Sequence, residues 1–98
     1  MKMSTKPTTS SSNASTSWIT TPTSKGALPA KYKELMGLAA SACLRCDDCI
    51  YYHAIQSYRL GGTRAEQEEA INVALVVAGS IVIPHIRRAY ELLTELYG

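Results

Sequence analysis

The sequence predicts an all-α domain of about four helices, and three observations carry that prediction. Breaks at Arg45-Asp48, Gly61-Gly62 and Gly79-Ser80 divide the chain after Pro29 into segments of helical length. Thr63-Arg64-Ala65-Glu66 is a capping box, with Thr63 as N-cap and Glu66 at N3. Ile71 to Val77 is β-branched enough to suit a strand, yet no second strand exists to pair with it.

Pro29 opens the first helix, which runs from Ala30 to Leu44 and carries no charge from Leu35 onward. A helix apolar on every side is expected to be buried on every side. In so short a chain that requires cover from neighbouring helices, including those of another subunit. Gly37, Ala39, Ala40, Ser41 and Ala42 are small enough to let a partner approach closely.

The second helix is expected from Asp47 to Leu60. Asp47 and Asp48 suit its first turn through the macrodipole, and Gly61-Gly62 stops it. The third spans Arg64 to Ala78, with Glu66, Glu68 and Glu69 as its solvated end and Ile71 to Val77 as its buried end. The fourth covers Ile81 to Tyr97, with Ile86, Ala89, Tyr90, Leu93 and Leu96 on one stripe. Pro84 removes one backbone bond there and is expected to kink or delay that helix.

Residues 1–25 read differently. Ser and Thr dominate and Pro7 and Pro22 interrupt any pattern, so this stretch is expected to be a disordered tail on a helical domain at 26–98. A domain below about 80 residues draws only a few kcal/mol from a single core, which points to a homo-oligomer.

The net charge of +2 comes from Lys2, Lys6 and Lys25 in the tail. From Lys31 onward acids slightly outnumber bases, so a clustered nucleic-acid face is not expected. No apolar run reads as a membrane span, and the N-terminus lacks the apolar centre of a secretory signal. A cytoplasmic location is expected. An acid-poor, hydroxyl-rich tail also suits an organelle transit peptide, the less favoured reading because the tail has no arginine.

The chemistry concentrates in Cys46-Asp47-Asp48-Cys49-Ile50-Tyr51-Tyr52-His53. Cys49 and His53 form an i,i+4 pair on a helix, so the imidazole can take the thiol proton. Cys46, one turn earlier, can close a disulfide with Cys49, and a helix N-terminus favours a reactive thiol. Asp47 and Asp48 oppose a thiolate, whereas the helix terminus and a protonated His53 favour one. The terminus argues for Cys46 as the attacking thiol and the histidine for Cys49.

Two rival readings concern metal. Cys43-x-x-Cys46-x-x-Cys49 looks superficially like part of an iron–sulfur run, but the fourth cysteine and its proline are missing. Cys46, Cys49, His53 and His85 suffice for zinc by ligand count; otherwise His85 reads as structural. A non-enzymatic helical oligomer with structural or metal-binding cysteines is the alternative to a redox enzyme.

A glutamate, eleven residues, then Cys-x-x-Cys-x-x-x-His stand here as Glu34, Cys46, Cys49 and His53. On these residues, with Gly26 to Met36 and Ile81 to His85 flanking them, the chain resembles the carboxymuconolactone decarboxylase-like superfamily, specifically its alkylhydroperoxidase D-like branch. The resemblance implies an all-helical fold completed by oligomerisation (dimer, trimer or hexamer) and a thiol-dependent peroxidase or disulfide reductase in antioxidant defence. It assigns Cys49 as nucleophile and Cys46 as resolving thiol, with His53 as base and Glu34 tuning it, and needs no cofactor or metal. The substrate is then a peroxide or disulfide, and a dithiol reductant such as a lipoylated or thioredoxin-like protein restores the pair. Two features depart from the family. The Ser/Thr tail stands where members place a further helix, and Asp48 stands where studied peroxidases can carry a histidine. Decarboxylation belongs to members without the redox cysteines.

Glu34 poses a geometric question. Along a straight helix it lies about 18 Å from Cys46, so it reaches the centre only if its helix bends, the next helix folds back, or a second subunit supplies it.

Overall fold

The computed structural model describes residues 26–98. The expected tail at 1–25 lies outside the described residues. Among these residues the secondary structure is entirely helical: α1 (Ala30–Cys43), α2 (Asp47–Arg59), α3 (Arg64–Ala78), a 3-10 turn (Gly79–Val82) and α4 (Ile83–Tyr97).

Two tight turns of one design set the first three helices. At the end of α1 the Arg45 amide donates to the Ala42 carbonyl and the Cys46 amide to Ser41, while Arg45 takes φ 61°. At the end of α2 the Gly61 amide donates to Tyr58 and the Gly62 amide to Ser57, with Gly61 at φ 88°. Both are Schellman caps, which satisfy the last carbonyls of a helix and turn the chain back within two residues. Glycine fills the left-handed position in the second cap without steric cost, whereas Arg45 must adopt it in the first. The consequence is positional: Cys46 leaves one cap and serves at once as N-cap of α2.

The capping box is present as predicted, with Thr63 Oγ1 accepting from the Glu66 amide at 3.1 Å and Glu66 Oε1 from the Thr63 amide at 3.0 Å. Pro84 delays the fourth helix instead of kinking it. The residues before it form the 3-10 turn, and Pro84 falls in the first turn of α4, where a missing N–H costs nothing.

The helices run alternately up and down. α1 packs against α2 and α3, and α4 packs against α2 and, more lightly, α3. Leu38, Ala42, Ile50, Ala54, Ile71, Ala74, Ala89 and Leu93 form the shared core. Of the predicted α4 stripe, Ala89 and Leu93 are buried, Ile86 and Tyr90 pack on the core's edge, and Leu96 is only half-buried. Gln67 is fully buried as well, its amide donating to the Ala54 carbonyl at 3.0 Å and reaching Tyr97 Oη at 2.8 Å.

Two burial expectations are corrected. The first helix ends at Cys43, and its own chain does not cover it all round: Tyr32, Met36 and the capping Leu44 are exposed. In α3 only Ile71 and Ala74 of the supposed buried end are buried, while Val73, Leu75, Val76 and Val77 face outward. The helical repeat explains this, since two positions about one turn apart share the inward face and their neighbours cannot. The membrane reading also needs amendment. Within Arg64–Tyr97 an 18-residue window reaches mean hydropathy 1.7, enough for a span by composition. That stretch is instead a hairpin, because Arg64 meets Thr94 at 3.3 Å and Asn72 meets Tyr90 at 3.5 Å across the turn.

Candidate functional site

The Schellman turn after α1 folds α2 back along it, which answers the question posed by Glu34. His53 Nδ1 lies 2.7 Å from Glu34 Oε1. The carboxylate therefore meets the histidine within one chain, and no second subunit or early bend is needed. Glu34 is only 3% exposed. A carboxylate so enclosed requires a partner, and His53 provides it.

The small residues of α1 make this contact sterically feasible. Gly37 sits one turn beyond Glu34 on the same face, and a Cβ there would stand 2.7 Å from both Cε1 and Nδ1 of His53. Only glycine leaves room for the ring to lie on the helix. Because a carboxylate only accepts, Nδ1–H is the donor, and Nε2 is left as a proton acceptor one helical turn from Cys49. Tyr52 stands edge-on to the same ring at 5.1 Å.

At the head of α2, Cys46 and Cys49 are joined in a disulfide with their Cα atoms 5.3 Å apart. Cys46 Sγ also accepts the Cys49 amide at 3.3 Å, as a side-chain N-cap. Cys46 is half-buried and Cys49 exposed. Cys43 remains a free thiol. It closes α1, and its sulfur faces the Ala74 carbonyl at 3.7 Å.

Asp47 and His85 carry more structure than the sequence revealed. His85 Nδ1 lies 2.8 Å from Asp47 Oδ1, and Arg88 Nε lies 3.0 Å from Asp47 Oδ2. The hydrogen bond from His85 and then that from Arg88 hold the Asp47 carboxyl below its ordinary 3.8, against a partial desolvation that opposes them. The four ligands of the zinc reading do not converge, since His53 turns to Glu34 and His85 to Asp47. Among the described residues no group of three or more His, Cys, Asp or Glu side chains is placed to hold a metal ion.

Sequence reasoning missed the partner of His85, the part of Arg88 and the purpose of Gly37. The smallness of Gly37 was legible, but not that a histidine ring would use it. Nothing local in Pro84-His85 signals a partner thirty-eight residues earlier.

Comparisons with known proteins agree with the fold. Two crystal structures of TM1620 from Thermotoga maritima, one described as a carboxymuconolactone decarboxylase family protein with a suggested part in an antioxidative response, share 48% sequence identity with this chain. They superpose with TM-scores of 0.79 and 0.80, covering 87% of this chain and 88% and 75% of theirs. An uncharacterized protein of Cupriavidus necator, H16_B0147, is 35% identical over 57 residues, or 58% of this chain. The chain spans 50% of the length of that curated relative. Proteins of this kind commonly oligomerise. The profile of the carboxymuconolactone decarboxylase family matches residues 13–92, and the chain belongs to that family.

Proposed function

We propose that this chain is a thiol-dependent peroxidase or disulfide reductase acting in antioxidant defence. The observation that carries the reading is the pairing of buried Glu34 on α1 with His53 on α2, the helix whose first turn carries the Cys46–Cys49 disulfide. Structural cysteines would need no such base beside them.

In the proposed cycle the reduced Cys49 loses its proton to His53 Nε2, and the thiolate attacks one peroxide oxygen. An S–O bond forms, the O–O bond breaks, and the alcohol or water leaves with a proton returned by His53. Glu34 stabilises the imidazolium formed between these steps. The Cys46 thiol then attacks the sulfenic acid, water leaves, and the disulfide forms. A dithiol protein reduces it, becoming a disulfide itself. The exposure of Cys49 and the half-burial of Cys46 suit attacking and resolving roles respectively.

We further propose that a second copy covers the apolar face of α1 and α3, where Tyr32, Met36, Val73 and Val76 are exposed. A contiguous apolar face of this kind is an association surface.

Titrating free thiols tests the enzymatic reading. The reduced chain holds 3 cysteines. One equivalent of hydrogen peroxide should consume the thiols of Cys46 and Cys49, leave Cys43, and be reversed by a dithiol. Unchanged thiols, with zinc or iron in the same sample, would mean that the cysteines bind metal.

A further inference from the structure

Asp47 stands between the motif cysteines, directly after Cys46 and two residues before Cys49. A bare carboxylate there opposes a thiolate on either sulfur. Its flanking charges, Arg45 and Asp48, are both exposed and opposite in sign, so they largely offset one another. The balance at the sulfurs therefore turns on what meets Asp47.

What meets it is the first turns of α4. Oδ1 takes the hydrogen bond of His85 Nδ1 at 2.8 Å, and Oδ2 takes that of Arg88 Nε at 3.0 Å, with Nη2 in ion-pair range at 3.0 Å. Arg88 Nη2 also lies 3.2 Å from His85 Nδ1. One ring nitrogen cannot donate to the carboxylate and accept from the guanidinium together, and the carboxylate is the stronger acceptor. The low titration point of Asp47 agrees with this engagement. The contact spans some forty residues of chain, and the side chains of Asp47 and Arg88 are 34% and 43% exposed. A pair that open is worth little as a staple, so its value lies in the charge it cancels.

We propose that Arg88, assisted by His85, is a positioning residue that neutralises Asp47 and thereby favours the reduced dithiol of Cys46 and Cys49. The inference rests on the redox reading above. On reduction a dithiol donates two electrons and two protons to the Cys46–Cys49 bond and closes its own disulfide. One of the two protein thiols then passes its proton to His53 and stands as a thiolate near Asp47, and Arg88 removes the repulsion.

The test is the equilibrium of the full chain with reduced and oxidised dithiothreitol, read by alkylating free thiols and weighing the products, with circular dichroism as the check on folding. Arg88→Gln should shift the equilibrium toward the disulfide and Asp47→Asn toward the dithiol, each by about two- to fivefold for a partly exposed pair. The double variant should return close to the parent, and Arg88→Lys, which keeps the charge, should stay near it. A clamp that only braced α2 would move both single variants in one direction, and that result overturns the proposal, as does no shift. Should Arg88→Gln not fold, the direction taken by Asp47→Asn still decides. A parent disulfide that cycles at no ratio overturns the redox reading along with this one, whereas a cycling parent with unshifted variants overturns this one alone.

Discussion

The seam between α1 and α2 and the last turns of α3 invert the ordinary rule of burial in opposite ways. In the seam a carboxylate is buried at 3% exposure against a histidine, where a pair of apolar side chains would pack with less cost. At the end of α3, Val76 and Val77 are 84% and 71% exposed, where polar residues would be better solvated. Neither arrangement is accounted for by the stability of one chain. The first makes sense if Glu34 and His53 do chemistry, the second if another surface covers the valines. Residues that break the rule in a small domain thus mark what the domain does.

The two regions can be broken separately, and the largest effect belongs to the seam. Replacing His53 by Ala should slow oxidation of Cys49 by about 10²–10⁴, the usual loss when acid–base assistance is removed. The deficit should shrink as pH rises and the thiol ionises unaided. Stopped-flow measurement against peroxide reads it, and a rate within twofold of the parent would detach the pair from catalysis.

At the other region, Val76→Glu puts a charge into the proposed contact between copies. Burying an unpaired carboxylate there should weaken association by about two orders of magnitude or more. Light scattering across a dilution series should show a smaller species than the parent. An unchanged mass would show that this face is not the one covered.

Gly37→Ala sharpens the comparison because it acts on geometry alone. The new Cβ would stand 2.7 Å from the His53 ring and push it off Glu34. A displacement of that order should cost about ten- to a hundredfold in oxidation rate. The helix itself gains about 1 kcal/mol from alanine over glycine, which offsets only part of the cost of leaving buried Glu34 without its partner, so thermal stability should fall as well. Loss of stability with full activity would reverse the interpretation.

The smallest effect comes from Asp47. Its carboxyl titrates lower in the folded chain than its ordinary 3.8. The stabilisation from His85 and Arg88 is therefore present above that ordinary value and is lost as pH falls through the lower folded one. Acid unfolding of Asp47→Asn should show a gentler decline below 3.8 than the parent. Coincident acid limbs would mean that the carboxylate contributes nothing to folding.

Much of this was legible in the sequence because it is local. The capping box and the glycine stop after Leu60 each lie within a few residues, and each formed as read, and Cys49 and His53 share α2. Pro84 allowed a kink or a delay, and the neighbouring Gly79 turn decided for delay. Burial was less legible. A run such as Ile71 to Val77 shows apolar content, but not how much of the helix circumference its own chain can cover. Distant pairs were illegible altogether. Glu34 was named from its spacing to the cysteines, yet its partner followed only from the Arg45 turn, and the hold of His85 and Arg88 on Asp47 had no local sign.

The central claim is that Cys49 attacks and Cys46 resolves, and trapping the sulfenic acid tests it most directly. Cys46→Ser, treated with one equivalent of peroxide, should hold a sulfenic acid at Cys49 long enough for a dimedone-type probe to label it, while Cys43 stays unlabelled. Cys49→Ser should leave Cys46 unlabelled under the same conditions. If instead Cys46 labels in the absence of Cys49 and Cys49 does not label in the absence of Cys46, the helix N-terminus outweighs the histidine and the assignment is contradicted.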